Sequence, residues 1–197
     1  MARPAKFTAD RILDAALAAT ARHGKAATIA DVAQQIEVPI GSIYPRFGSR
    51  EELFVSLWLR AVRRFQAGLL AAADSHDPTA ALVACAVHIP RYCRQHPDEA
   101  VALTLYRHAE LVRSGPPLFA EDVRTVNDTV TATILGLARS RYGRLDEHLA
   151  EVVHTAVVQC PYGLVRPHVG SDVPEWLDDA VRAAAIAILT LGDPKAP

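Results

Sequence analysis

Two helix-start signatures restrict this chain more than any other feature: T-I-A-D at residues 28 to 31 and S-R-E-E at residues 49 to 52. Each places a hydroxyl residue at a helix N-cap and an acid three positions later, so that side chain and backbone satisfy one another's orphan groups. Only two short helices and a tight connection fit between the two starts. The first, with Ile29, Val32, Ala33 and Ile36 facing inward, is about two turns long. After a connection at Glu37 and Val38, Pro39 suits a first helical position and Pro45 sits near an end. Residues 39 to 45 are therefore predicted as a second, very short helix, anchored by Ile43 and Phe47. From Ser49 a long helix is predicted to residue 73, with Phe54, Leu57, Trp58, Ala61, Val62, Phe65 and Leu69 on one stripe.

Upstream, Ile12, Leu13, Ala16, Leu17 and Thr20 share one face of a helix over residues 8 to 23, and Gly24 is its stop. Downstream, the polar, proline-ended stretch from Asp74 to Pro78 reads as a linker. Breakers at His96-Pro97, Ser114 to Pro117, Tyr142-Gly143 and Pro167 to Pro174 then separate helices over 78–95, 97–113, 117–141, 145–165 and 174–191. Pro90 and Pro161 fall inside two of these, where each removes a backbone donor and should kink or split its helix. Alanine and leucine are abundant, glycine (10 residues) and aromatics (6%) are sparse, and no alternating β-branched run occurs. The expected fold is all-α, of about nine helices.

The net charge of −1 argues against polyanion binding by bulk charge, but its distribution is uneven. Residues 1–50 hold seven Lys/Arg and four acids, an excess of three positive charges, which leaves −4 for the remainder. A basic head on an acidic body suits contact with nucleic acid by the head. The start, MARPAKFTAD, has no apolar signal region, and no apolar run approaches the roughly 20 residues that span a bilayer, so a cytoplasmic protein without membrane contact is expected. Three cysteines (Cys85, Cys93, Cys160) without a framework pattern fit reduced thiols. Cys85-x-x-His88 and Cys93-x-x-His96 resemble zinc spacing and keep a metal- or thiol-dependent helical enzyme as an alternative. On one helix, however, residues 85 to 96 extend roughly 16 Å, too far for ligands of one ion. No Gly-rich phosphate loop, H-E-x-x-H or Ser-His-Asp order occurs, and neither enzymatic activity nor a cofactor is expected.

Two short helices on a tight turn followed by a long capped helix suit the DNA major groove, which is about 12 Å wide and accepts one helix. The runs I-L-D-A-A (12–16), H-G (23–24), T-I-A-D-V-A (28–33) and V-P-I-G-S-I-Y-P-R-F-G-S-R-E-E-L-F (38–54) resemble the tetracycline-repressor (TetR) family. The resemblance implies a helix-turn-helix DNA-binding domain over 1–54, with helix 49–73 connecting it to an effector-binding and dimerisation domain over 55–197. It implies a homodimeric transcriptional regulator on double-stranded, near-palindromic operator DNA, a repressor released by a small hydrophobic or aromatic effector. A regulator with no small-molecule effector is the alternative.

Carried over position by position, Ile40, Gly41 and Ser42 fall where the family presents residues to base edges. Ile40 also has a plain reading as core; exposed, it would meet a thymine methyl, while Ser42 can bond almost any base. Tyr44 and Arg50 match phosphate-contacting positions, with Arg46 and the Thr28 hydroxyl as further contacts and Arg3 and Lys6 as a minor-groove arm. The chain departs from the family at Glu37, where a glycine with positive φ is usual, and at Pro39, where a serine cap is usual. In the body, Trp58, Phe65, His88, Tyr92, Tyr106, Asn127, Thr131, His154 and Gln159 interrupt apolar stretches and are the candidate effector contacts. The stripes Leu149, Val152, Val153, Ala156, Val157, Cys160 and Trp176, Leu177, Ala180, Val181, Ala184, Ile188 are the candidate dimer faces.

Overall fold

Helix α1 (Ala9–His23) starts where the Thr8 hydroxyl accepts from the Arg11 amide, and it stops at Gly24, whose φ of 55° an L side chain rarely adopts. The computed structural model describes residues 8–194. Among these the chain is all-helical, with the expected helical regions in the expected order. They are α2 (Ile29–Gln35), α3 (Arg50–Ala72), α4 (Pro78–Gln95), α5 (Pro97–Leu103), α6 (His108–Ser114), α7 (Ala120–Thr125), α8 (Asp128–Tyr142), α9 (Glu147–His154), α10 (Cys160–Val165) and α11 (Trp176–Leu189). No helix among the described residues is long and apolar enough to cross a membrane.

Three expectations need correction. Residues 39–45 do not form an α-helix: only Ile40–Ser42 take a 3-10 turn, and turns follow to Arg46. Prolines at both ends and a glycine inside leave too few donors and too little helical preference to propagate a regular helix. The helix expected over 97–113 breaks at residues 104–107, where the Thr104 hydroxyl bonds back to the Val101 carbonyl at 2.7 Å and Leu105 turns inward. The one expected over 117–141 is divided between α7 and α8. Contacts divide the chain into one unit of residues 8–63 with 98–126 and another of 64–97 with 127–194.

The first unit has its own core. Ile12, Ala16 and Ala19 of α1, Ile29 and Val32 of α2, and Ile43, Phe47, Phe54, Leu57 and Trp58 bury together with Ala102, Leu105, Leu111 and Val123. The last four explain why residues 98–126 belong here. In the second unit, Leu82, Cys85 and Ala86 of α4 meet Ile134, Ala138, Val153, Val157, Val181, Ala185 and Leu189. Val126 packs into the first core and Val130 into the second, so burial in different cores coincides with the break between α7 and α8. Pro90 is absorbed within α4, whereas Pro161 follows a π-helical turn, Thr155–Gln159, whose wider turn relieves the crowding of a proline ring against the preceding backbone.

The connection from α2 is decided by its backbone. Val38 N–H donates to the Ala33 carbonyl (3.0 Å) and Glu37 N–H to the Gln34 carbonyl (3.2 Å), the paired bonds of a Schellman ending. That ending requires a left-handed residue, and Glu37 occupies it at φ 54° as the sole non-glycine with positive φ among the described residues. Its side chain is exposed. Glu37→Gly should therefore raise the unfolding free energy by about 0.5–1 kcal/mol, the left-handed penalty less the extra entropy of unfolded glycine. A urea midpoint unchanged or lowered in the variant would contradict this.

Candidate functional site

Ile43 and Phe47 are buried, Ile43 completely, and the residues between and before them are thereby turned outward. Ile40 is 46% exposed and Tyr44 48%, and Gly41, Ser42 and Arg46 are exposed as well. Ile40 is thus not a core residue. Pro39 stands before the turn at φ −59° with no side-chain cap, as its lack of a hydroxyl requires. Five of the seven sequence-chosen contacts lie on this one short segment: Ile40, Gly41, Ser42, Tyr44 and Arg46.

The other two have different employment. The Thr28 hydroxyl accepts from Asp31 N–H at 3.2 Å and donates to the Asp31 carboxylate at 2.7 Å, and Thr28 N–H donates to the same carboxylate at 2.8 Å. These bonds hold the Asp31 carboxyl below its ordinary range. A phosphate would find both donors taken and a negative charge beside them. Arg50 lays its fork across the preceding connection, donating from Nε and Nη2 to the Ala27 carbonyl (3.0 and 2.7 Å) and from Nη2 to that of Lys25 (2.8 Å), with the guanidinium over the Phe54 ring at 4.7 Å. It ties the start of α3 to the residues before α2. Ser49 caps α3 as expected, accepting from Glu52 N–H at 3.1 Å, and the Glu52 carboxylate reaches Gly48 N–H at 3.1 Å. Arg3 and Lys6 lie outside the described residues.

The candidate effector contacts separate. Trp58 is buried in the core of the first unit and Tyr106 packs half-buried against it, with burial pushing the Tyr106 phenol up. Thr131, His154 and Gln159 face solvent, so the apolar residues around them in sequence belong to other helix faces. Phe65, His88, Tyr92 and Asn127 are in the second unit, where three of them form an aromatic group: Phe65 lies 5.0 Å from His88 and 5.2 Å from Tyr92, edge-on to the latter. Tyr92 in turn stacks at 4.7 Å on His96, and Asn127 accepts from Gln66 at 3.0 Å. Sequence reading missed Gln66 and weighed His96 only for its zinc-like spacing; the signal for its aromatic role was the recurrence of His88, Tyr92 and His96 every four residues, ending at the C-cap of α4.

His88 Nε2 donates to the Phe65 carbonyl at 3.0 Å, and burial lowers the ring's pKa. The ring sits directly on Gly68, where a Cβ would come within 2.5 Å of it. The nearby Cys85 thiol is directed at the Leu69 carbonyl (3.8 Å), and burial pushes Cys85 and Cys93 up to about 11. Cys85 and His88 thus turn to different carbonyls of α3. Among the described residues no group of three or more His, Cys, Asp or Glu is arranged to hold a metal ion.

Residues 12–57, which span these elements, match a known sequence family. That segment fits the family profile described as bacterial regulatory proteins of the tetR family. Over this segment the chain resembles that family. The matched segment takes in most of α1, all of α2, the turn that follows and the start of α3. The whole chain shares its fold with solved TetR-like proteins. A transcriptional regulator from Rhodococcus sp. Rha1 superposes with a TM-score of 0.75 at 21% identity over 96% of this chain and 100% of that one. The TetR-family regulator PfmR from Thermus thermophilus gives 0.70 at 22%, over 94% and 100%. FadR from Bacillus subtilis, solved in complex with stearoyl-CoA, gives 0.59 at 16%, over 94% and 97%. No curated protein matches the sequence significantly.

Removing the Arg50 fork should cost the first unit stability. Arg50→Ala is expected to lower the unfolding free energy by about 1–2 kcal/mol, the scale of a charge-assisted bond to a backbone carbonyl. Tyr44→Phe should change it by less than about 0.5 kcal/mol, as an exposed substitution. Denaturant titration of both variants checks this; equal stability of Arg50→Ala and wild type would remove the structural role assigned to Arg50.

Proposed function

We propose that this regulator is a repressor that reads operator DNA with Ile40, Gly41 and Ser42, holds phosphates through Tyr44 and Arg46, and leaves the operator when a small hydrophobic or aromatic molecule binds. The observation that carries the reading is the outward presentation of all five residues above the buried Ile43 and Phe47. Tyr44 offers a neutral donor on a rigid ring and Arg46 a charge, the two means of fastening a protein to a duplex without reading its sequence. Arg46 is the sole charged side chain between Val38 and Ser49, so electrostatic grip by this segment is slight.

In a shift assay on the DNA upstream of the regulator's own coding region, Tyr44→Ala should weaken binding about five-fold, the worth of one ordinary hydrogen bond. Arg46→Ala should weaken it and also reduce the slope of log affinity against log salt by about 1. Undiminished binding by both variants at the same salt would reject these roles.

The second unit is the place for the effector. Support comes from the group of Phe65, His88, Tyr92 and His96 with the amide pair Gln66 and Asn127, an apolar surround carrying a few hydrogen-bonding points. The complex of Bacillus subtilis FadR with stearoyl-CoA is a precedent in the same fold for a ligand with a long apolar part. Regulation without any small molecule is the second reading, and the close seating of His88 on Gly68 favours it, since no room for a ligand remains at that point. Release of DNA and a raised melting temperature with fatty acyl or aromatic compounds would decide for the effector; a full panel without either effect would decide against it.

The repressor is also proposed to act as a homodimer. Of the stripes expected to pair, Leu149, Val152, Val153, Val157, Leu177 and Val181 are buried in the protomer's own core, while Trp176 stays outside. The apolar residues left outside are Val158, Tyr162, Ile186, Trp176 (61% exposed) and Leu191 (68%), on or beside the last two helical regions. Trp176, Ala183 and Ile186 follow a coiled-coil spacing along α11, with alanine allowing close approach. Ile186→Glu should convert a dimer into a folded monomer by light scattering and abolish tight operator binding; a dimer in the variant would move the interface elsewhere.

A further inference from the structure

We infer that Ile40 and Gly41 make the head selective for a 5-methylpyrimidine, thymine in ordinary DNA, at one position of each operator half-site. The inference rests on the reading that this turn enters the major groove and names what it recognises there. Ile40 is a large aliphatic side chain, 46% exposed, on the same outward segment as Ser42 and Tyr44. It carries no donor or acceptor. The C5-methyl of thymine is the apolar group that the major groove of unmodified DNA displays, so a branched alkyl side chain there discriminates by contact with that methyl and by nothing else.

Gly41 supplies an independent observation. Glycine is required by a fold where φ is positive or where a neighbour leaves no space for a Cβ, and neither holds at Gly41. Its φ is not among the positive ones, and a Cβ built on it meets nothing within 4 Å. Alanine would also be the better helix former. What remains is the approach of a surface from outside: without a Cβ the turn can come down on the base edges, which brings Ile40 within van der Waals reach of the methyl. Ser42, able to bond almost any base, adds little discrimination, and Arg46 is the sole charged residue between Val38 and Ser49. The methyl contact is then the principal direct readout of the turn.

The test uses the full-length protein and duplexes recovered by repeated selection from a random-sequence library. In the recovered duplex each thymine is replaced in turn by deoxyuridine, which deletes the methyl and keeps every hydrogen-bonding group. One position should lose about four-fold in affinity, the worth of a buried methyl-sized group, and at that position 5-methylcytosine should bind better than cytosine by a similar factor. With Ile40→Ala both ratios should fall to about one, while Ile40→Val keeps part of each. Gly41→Ala should melt no lower than wild type and bind the duplex about ten-fold more weakly. If no thymine is sensitive, or the ratios persist in Ile40→Ala, methyl recognition by Ile40 is overturned although DNA reading stands. If Gly41→Ala binds like wild type, the close approach is overturned. If no sequence is enriched at all, the reading of the turn as a base reader fails together with this inference.

Discussion

Burial of Ile43 and Phe47 in the core of the head is the constraint on which the rest depends. The two side chains lie four residues apart, so fixing both fixes the rotation of the segment that carries them. Ile40, Gly41, Ser42, Tyr44 and Arg46 are then outward by geometry, and no further interaction is needed to aim them. A short turn segment with two prolines and two glycines nearby has little helical stability of its own. Tertiary anchorage replaces it. The Schellman ending at Glu37 sets the angle at which the chain enters, and the Arg50 fork on the Lys25 and Ala27 carbonyls holds the start of α3 to the connection before α2.

Such a head trades charge for shape. Thr28 and Arg50, which resemblance would spend on phosphates, are spent inside the protein, and the face that remains has one aliphatic residue, one hydroxyl, one phenol and one guanidinium. In the proposed role, a surface of this kind would hold DNA through a few positioning contacts, with sequence-dependent groove geometry adding selectivity at positions it does not touch. Much of the remaining charge is paired locally. Asp178 at the start of α11 receives both Arg91 (2.7 Å) and Arg94 of α4, and Arg141 at the end of α8 bonds Thr79 and Asp193. These pairs join the ends of helices whose middles are joined by Leu, Val and Ala, and they orient the second unit's helices more than they stabilise them.

Legibility in the sequence followed the range of the interaction. The starts of α1, α2 and α3, the stop at Gly24, the positive φ at position 37 and the missing cap at Pro39 were all readable, because each depends on residues within four or five positions of one another. Ile40 was ambiguous between core and surface, since periodicity gives a stripe but not its width. The effector candidates were least legible. Trp58, Tyr106, Thr131 and His88 look alike as polar or aromatic interruptions of apolar runs, yet one is buried in the head, one packs beside it, one is solvated, and one is seated on a glycine in the other unit.

The same distinction separates what the sequence determined alone from what tertiary structure decided. Local hydrogen-bonding chemistry and helical periodicity were sufficient for an all-helical chain, for the short helix-turn-helix and for the positions at which its elements begin and end. Which unit residues 98–126 join, which apolar stripes of the last helices are core and which are left outside, and whether Arg50 meets a phosphate or a carbonyl depended on groups brought together from distant positions. A side chain's spacing specifies the face it occupies, but only the neighbours that arrive by folding determine whether that face is covered, and by what.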